Sequence, residues 1–107
     1  MRVELTEVLW LEEHAVSLSE LSELSGLSTS MLEELISSGA IEPIDAASAQ
    51  PLFGAAALSA ARHARRLHED FDLDTPGLSL ALGLLERIQA LEQQLRSLQA
   101  RLPGRIR

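Results

Sequence analysis

The feature that most constrains the fold is a row of large aliphatic residues near the C-terminus. Its members recur at alternating spacings of four and three residues: Leu84, Ile88, Leu91, Leu95, Leu98 and Leu102. This spacing is typical of the seam of a coiled coil. Thr75 as N-cap and Pro76 as first helical residue predict where the helix begins, and Pro103 and Gly104 predict where it stops. The pattern therefore predicts one long helix over residues 75–102.

The same helix carries a second apolar stripe close to its start. Leu78, Leu82 and Leu85 lie on a different side from the seam, and a helix that is apolar on two sides must bury both. The stripe can pack on a body formed by residues 1–74, whereas the seam extends beyond what a body of that size can cover. We therefore predict a homodimer held by antiparallel pairing of the C-terminal helix.

The residues before the long helix carry the signals of a helix-turn-helix unit. Ser17 and Glu20 are spaced as a capping box at the start of a short helix that Gly26 ends. A second helix is predicted to begin after Ser28 and to stop at Gly39. A third helix is expected over residues 55–70, and its inner side is expected to carry Leu58, Ala61, Ala64, Arg65 and Leu67.

The N-terminal segment, residues 1–13, fits two patterns. Its apolar residues suit either the alternation of a strand (Val3, Leu5, Leu9 and Leu11) or one face of a helix (Leu5, Val8 and Leu9). Residues 44–53 are expected to form a small loop or hairpin, and we predict that residues 1–13 form a strand that pairs with it. Leu52 and Phe53 are expected to return from this hairpin to the core, and Trp10 is interpreted as a packing residue.

Charge is divided unevenly between the two halves of the chain. Residues 1–54 hold nine glutamates and Asp45 against Arg2, a net charge of −9, while residues 55–107 hold eight arginines against six acidic residues, a net charge of +2. The second helix of a DNA-binding helix-turn-helix enters the major groove, but here it carries Glu33 and Glu34 and no basic residue. A DNA-binding face needs Lys and Arg along the phosphates, so direct DNA binding is not expected. An acidic surface attracts basic partners instead.

The sequence lacks the residues that several classes of chemistry require. The chain has no cysteine, which excludes disulfides and thiolate chemistry. His63 and His68 are five residues apart on a predicted helix and no third ligand is evident, so no metal site is expected. No grouping of Ser, His and Asp suits nucleophilic catalysis. We expect neither an enzyme nor a bound cofactor. Without a secretory signal or an apolar run of about 20 residues, the expected location is the cytoplasm.

Three stretches of the sequence resemble a known family. They are "LISSGAIEP" (35–43), "QPLF" (50–53) and "RRLHEDFDLDTPGLSLALGLLERIQALEQQL" (65–95). In order and spacing they are similar to the CbpM-type chaperone modulators, an offshoot of the MerR-type helix-turn-helix proteins, and the resemblance covers residues 16–102.

The resemblance implies a mainly α fold with three parts. Residues 1–74 would form a MerR-like winged helix-turn-helix body with a small β element, in which residues 1–15 are an N-terminal strand or extension. Residues 75–102 would form the long dimerisation helix, and residues 103–107 a tail.

The resemblance also implies a function. CbpM-type proteins bind and inhibit the J-domain of a DnaJ-like (CbpA-type) co-chaperone. J-domains carry a basic helix that engages Hsp70, and an acidic partner can cover that helix. The alternative function is that of a MerR-like DNA-binding transcriptional regulator. Such regulators carry an arginine just before the closing aromatic residue of the wing, where this chain has Pro51 and Leu52.

The residues expected to contact the J-domain are acidic: Glu33, Glu34, Glu69, Asp70, Asp72 and Asp74. An ordinary structural role is the alternative for each of them. Glu33 and Glu34 could be solvated helix residues, and the other four could serve as charges at helix ends, where they interact with the helix dipole.

Overall fold

A computed structural model describes residues 5–103, and these residues form five α-helices. The helices are α1 (Leu5–Glu13), α2 (Leu18–Ser25), α3 (Thr29–Ser37), α4 (Ala55–Phe71) and α5 (Thr75–Arg101). The mainly α architecture and the helix-turn-helix pair α2–α3 agree with the prediction. The predicted tail lies outside the described residues after Pro103. Among the described residues, no helix is both long enough and apolar enough to cross a membrane.

The predicted N-terminal strand is wrong, because Leu5–Glu13 is helical; residues 1–4 of the predicted strand lie outside the described residues. The rings of Trp10 and His14 stack with their centroids 4.9 Å apart. Residues four apart meet in this way on a helix, whereas a strand would separate them by about 13 Å. Leucine and glutamate, which dominate the segment, are also good helix formers.

The predicted β element is also absent from the described residues. A single antiparallel bridge joins Val16 to Phe53, with hydrogen bonds of 2.9 and 2.8 Å between their backbones. Of the loop or hairpin predicted for residues 44–53, the structure shows the loop, closed by a hydrogen bond of 2.9 Å from the Ile44 N–H to the Leu52 carbonyl. Pro51 has no N–H to donate to a strand ladder. Phe53 reaches the core as predicted, whereas Leu52 is 46% exposed.

The turn between α2 and α3 forms as the sequence predicted. The Ser17 hydroxyl accepts a hydrogen bond from the Glu20 N–H, and the Glu20 carboxylate accepts one from the Ser17 N–H. Gly26 then ends α2 in the left-handed conformation, with φ at 84°. The Ser28 hydroxyl caps the start of α3 by accepting a hydrogen bond from the Met31 N–H. Two helices are thereby held across a turn of three residues.

Helix α4 lies at the centre of the body and contacts α1, α2 and α5. The side that faces inward carries small residues around one large one: Ala57, Leu58, Ala61 and Ala64 are all buried. Arg65 was predicted to lie on the inner side of α4, but its side chain is exposed and does not enter the core. It lies across the α2–α3 turn and comes close to Gly26.

The N-cap of α5 lies one residue earlier than predicted. Asp74, not Thr75, is the N-cap: its carboxylate accepts a hydrogen bond of 2.9 Å from the Gly77 N–H. Leu78 and Leu82 of the second stripe are buried as predicted, and Leu85 is half-buried. From Glu86 to Leu98 every residue of the helix is exposed, and this stretch extends for about 20 Å. Leu102 lies just beyond the last helical residue and serves as the C-cap.

We predict that Gly26→Ala destabilises the fold by about 1–2 kcal/mol, because a side chain disfavours the left-handed conformation by that amount. The added Cβ would also lie 2.8–2.9 Å from the Arg65 side chain. Urea unfolding followed by circular dichroism measures the change. Gly83→Ala is the matched control. Its Cβ would meet no atom within 4 Å, so it should stabilise the helix by up to ~1 kcal/mol. Equal stability of the two variants would contradict this account of the turn.

Candidate partner-binding site

The outer face of α3 presents two carboxylates to solvent. Leu32 and Leu35 on the opposite face are fully buried, and this fixes the rotation of the helix. Glu33 and Glu34 are consequently exposed, and they line a shallow depression with Ser30, Ser37 and Ser38. This face can attract a basic group, but no large apolar side chain lines the depression.

The acidic cluster (Glu69, Asp70, Asp72 and Asp74) lies at the junction of α4 and α5. Three of its members have a local structural role. Glu69 accepts a hydrogen bond of 3.0 Å from the Arg65 guanidinium, Asp72 ends α4 in the left-handed conformation, and Asp74 caps α5. Asp70 is exposed. The acidic cluster therefore stabilises the connection between α4 and α5, independently of any contact with a partner.

The two acidic groups are linked through the end of α3. The hydroxyls of Ser38 and Ser79 lie 2.8 Å apart, so the C-terminal end of α3 rests against the early turns of α5. Glu34 lies one turn before Ser38, and the acidic cluster immediately precedes α5. The end of α3 that follows Glu34 therefore lies near the start of α5, which Asp74 caps.

A groove between α1, α2 and α4 was not predicted from the sequence. This N-terminal groove has a volume of about 490 Å³ and is lined by Thr6, Glu7, Trp10, Leu11, Val16, Glu20, Glu23, Leu24 and Leu58. Trp10, which the sequence suggested to be a packing residue, is 49% exposed. The sequence carried no local signal for this groove, because its lining residues come from separate segments of the chain that meet only in the folded structure.

An ion pair attaches α1 to the body. The Arg62 guanidinium donates two hydrogen bonds to the Glu7 carboxylate, at 2.8 and 2.9 Å. The two side chains are 22% and 32% exposed, so the pair is partly shielded from water. Beside it, Leu11 is buried in the core. Together these contacts hold the wall of the groove that carries Trp10.

The seam of α5 is open to solvent along its whole length. All six of its residues, Leu84, Ile88, Leu91, Leu95, Leu98 and Leu102, are 46–59% exposed. Charged residues follow the same helix on its other sides, among them Glu86, Arg87 and Arg96, and all three are exposed. A continuous apolar row of this length in contact with water is characteristic of an association surface.

The histidines do not assemble a metal site. The Nδ1 atoms of His63 and His68 each donate to a backbone carbonyl, of Ser59 and of Leu73 respectively. Within residues 5–103, no group of three side chains has the composition and geometry to hold a metal ion.

Comparison with known proteins identifies the family. Residues 16–100 match the model of the MerR HTH family regulatory proteins. The chain is 37% identical over 78 residues to the chaperone modulatory protein CbpM of Salmonella arizonae, covering 73% of this chain and 77% of that protein. It is 31% identical over 84 residues to the protein of the same name from Coxiella burnetii, covering 78% and 79%. The chain belongs to the CbpM-type chaperone modulatory proteins.

The match with the MerR model extends over residues 16–100 and so contains the helix-turn-helix, α4 and most of α5. Helix α1 precedes the matched region, and it builds one wall of the N-terminal groove. The groove is therefore lined by residues both inside and outside the matched region.

We predict that Glu7→Gln lowers the free energy of local unfolding of α1 by about 1–2 kcal/mol. This value lies between the contribution of an exposed ion pair and that of a shielded charged hydrogen bond. Hydrogen exchange should show faster exchange of the α1 amides with little change in α4. Glu69→Gln is the matched control. It removes the Arg65–Glu69 pair, whose side chains are 51% and 56% exposed, and should cost less than about 0.5 kcal/mol. Unchanged protection of α1 in Glu7→Gln would contradict the role of the ion pair.

Proposed function

We propose that this CbpM-type protein binds the J-domain of a DnaJ-like co-chaperone in the cytoplasm and inhibits it. The observation that carries the proposal is the outer face of α3, which presents Glu33 and Glu34 where a DNA-binding relative needs positive charge. The names of the relatives support the same proposal, because they describe proteins that modulate a chaperone.

The charge of the body suits a basic target. The N-terminal half of the chain carries a net charge of −9, and α3 and the acidic cluster direct carboxylates outward. Complementary charge speeds the encounter of two proteins by 10-fold to 1,000-fold at low salt. In this proposal Glu33, Glu34 and the acidic cluster steer the basic helix of the J-domain towards the body.

Inhibition follows from competition for one surface. The basic helix of a J-domain is the element that engages Hsp70, so a modulator that covers this helix prevents the engagement. No chemical step is needed, and the effect should scale with occupancy of the J-domain. The body, residues 1–74, is the part that we propose to bind.

We predict that the purified protein binds an isolated J-domain with an affinity that falls as salt is raised. It should also lower J-domain-stimulated ATP hydrolysis by Hsp70. Reversing both charges on α3, with Glu33→Lys and Glu34→Lys, should slow association about tenfold at low salt. The control is Asp45→Lys with Glu92→Lys, which makes the same change in net charge at exposed positions outside α3 and its depression. Stopped-flow association kinetics measure both variants.

Two outcomes would redirect the proposal. Salt-sensitive binding to duplex DNA without affinity for a J-domain would favour the transcriptional regulator. If J-domain binding is intact and both charge-reversed proteins associate equally fast, Glu33 and Glu34 are not the steering residues, and the acidic cluster would be the next candidate.

We also propose that two copies associate through the seam of α5. The body buries only the first turns of this helix, and the six seam residues beyond them stay exposed. Full burial of one large aliphatic side chain is worth about 1.5–3 kcal/mol, so pairing of two seams removes a substantial cost. Such a dimer would present two bodies, and hence two J-domain sites.

We predict a dimer in analytical ultracentrifugation at micromolar concentration. Leu91→Glu with Leu95→Glu should convert it to a monomer, because four carboxylates would be forced into one apolar interface. Gln93→Glu with Ser97→Glu adds the same charges to the helix away from the seam and should remain dimeric. A monomeric wild-type protein would contradict the dimer, and a dimer that both variants leave intact would place the interface elsewhere.

A further inference from the structure

The N-terminal groove has the chemistry of a site that holds an apolar side chain. Its floor is formed by core residues that are almost completely buried, Leu11, Val16 and Leu58. Its walls include Trp10 and Leu24, which remain 49% and 41% exposed. Large, half-exposed aromatic and aliphatic side chains around an open hollow are typical of binding grooves.

The charged residues of the groove define the sign of its occupant. Among the described residues that line it, three are glutamates and none carries a positive charge. Glu7 is paired with Arg62, and the Glu20 carboxylate holds the start of α2. Glu23 is exposed at the groove. An occupant that combines apolar side chains with lysine or arginine would fit both the floor and the acidic rim.

The groove and the α3 face can contribute differently to one interface. A few buried apolar or aromatic contacts supply most of the affinity of a typical complex, and exposed charges at the rim mainly change the association rate. The depression beside Glu33 and Glu34 is otherwise lined by serines, so it has no such anchor. The N-terminal groove has one.

We infer that the basic helix of the J-domain is anchored in the N-terminal groove, with an apolar side chain on its floor and its basic residues towards the acidic rim. This inference rests on the proposed function. In this arrangement Trp10 and Leu24 slow the dissociation of the complex, whereas Glu33 and Glu34 speed its association. Recognition of an amphipathic helix by an apolar groove is a common mode of binding.

Trp10 makes the groove directly observable, because it is the single tryptophan of the chain. Titration with a tryptophan-free J-domain should shift its emission to shorter wavelength as the occupant displaces water from the indole. Calorimetry on the same samples measures binding independently of the groove. Binding by calorimetry without a change in Trp10 emission would overturn the anchor and leave the proposed function standing. Absence of binding by calorimetry would overturn both.

Variants test the same assignment through kinetics. Leu24→Glu should raise the dissociation rate about tenfold or more, as expected for loss of a central anchor, and its added carboxylate should not slow association with a basic partner. Leu52→Glu is the matched control, since Leu52 is similarly exposed at 46% but lies in the loop before α4. It should dissociate like the wild type. Equal dissociation rates for both variants and the wild type would overturn the inference. The emission of wild-type Trp10 keeps the test valid if Leu24→Glu folds poorly.

Discussion

The close packing of small residues on α4 is the constraint on which the rest of the structure depends. Three buried alanines surround Leu58, and this lets α1, α2 and α5 approach one central helix. Alanine loses little entropy on burial and leaves no bulky side chain between helix axes. A larger residue at Ala61 or Ala64 would have to displace neighbouring helices, since packed interiors leave few voids to absorb added volume. The orientation of every candidate surface follows from this contact.

In the helix-turn-helix of this CbpM-type chain, the residues that pack in the core are separate from those that face solvent. Leu32 and Leu35 secure α3 to the core, while Glu33 and Glu34 between them reach solvent. Substitutions of Glu33 and Glu34 leave the packing of the core unchanged. The same scaffold can therefore present a surface for a polyanion or a surface for a basic protein. Fold and function are separable in this way because function belongs to the surface that the fold presents.

The body and the projecting part of α5 differ in how their apolar residues are covered. The first turns of α5 complete the core through Leu78 and Leu82, whereas the seam has no covering surface within the described chain. The N-terminal groove adds a second apolar feature, formed because α1 is attached by Arg62 on one side and leaves Trp10 open on the other. Both features are apolar. The charged side chains that line the groove are all carboxylates, whereas α5 carries both acidic and basic residues beside the seam. This difference supports the proposals of a basic partner for the groove and of a second copy for the seam.

The sequence by itself determined the elements whose signals are local. The Ser17–Glu20 capping box, the stop at Gly26 and the start of α3 after Ser28 depend on residues within a few positions of one another. The long helix follows from a repeat sustained over many turns, and the acidity of the N-terminal half follows from composition. For the candidate site, the outward direction of Glu33 and Glu34 was predictable, because the apolar spacing of α3 fixes which side is buried.

Only the tertiary structure decided the form of residues 5–13 and of the loop before α4. A short apolar segment fits a strand or a helix equally well, and the partner of Glu7, Arg62, lies 55 residues away. The single bridge between Val16 and Phe53 likewise depends on how the core positions two distant backbones. The N-terminal groove exists only once α1, α2 and α4 meet, so a site of this kind has no local signal in the sequence from which it could be predicted.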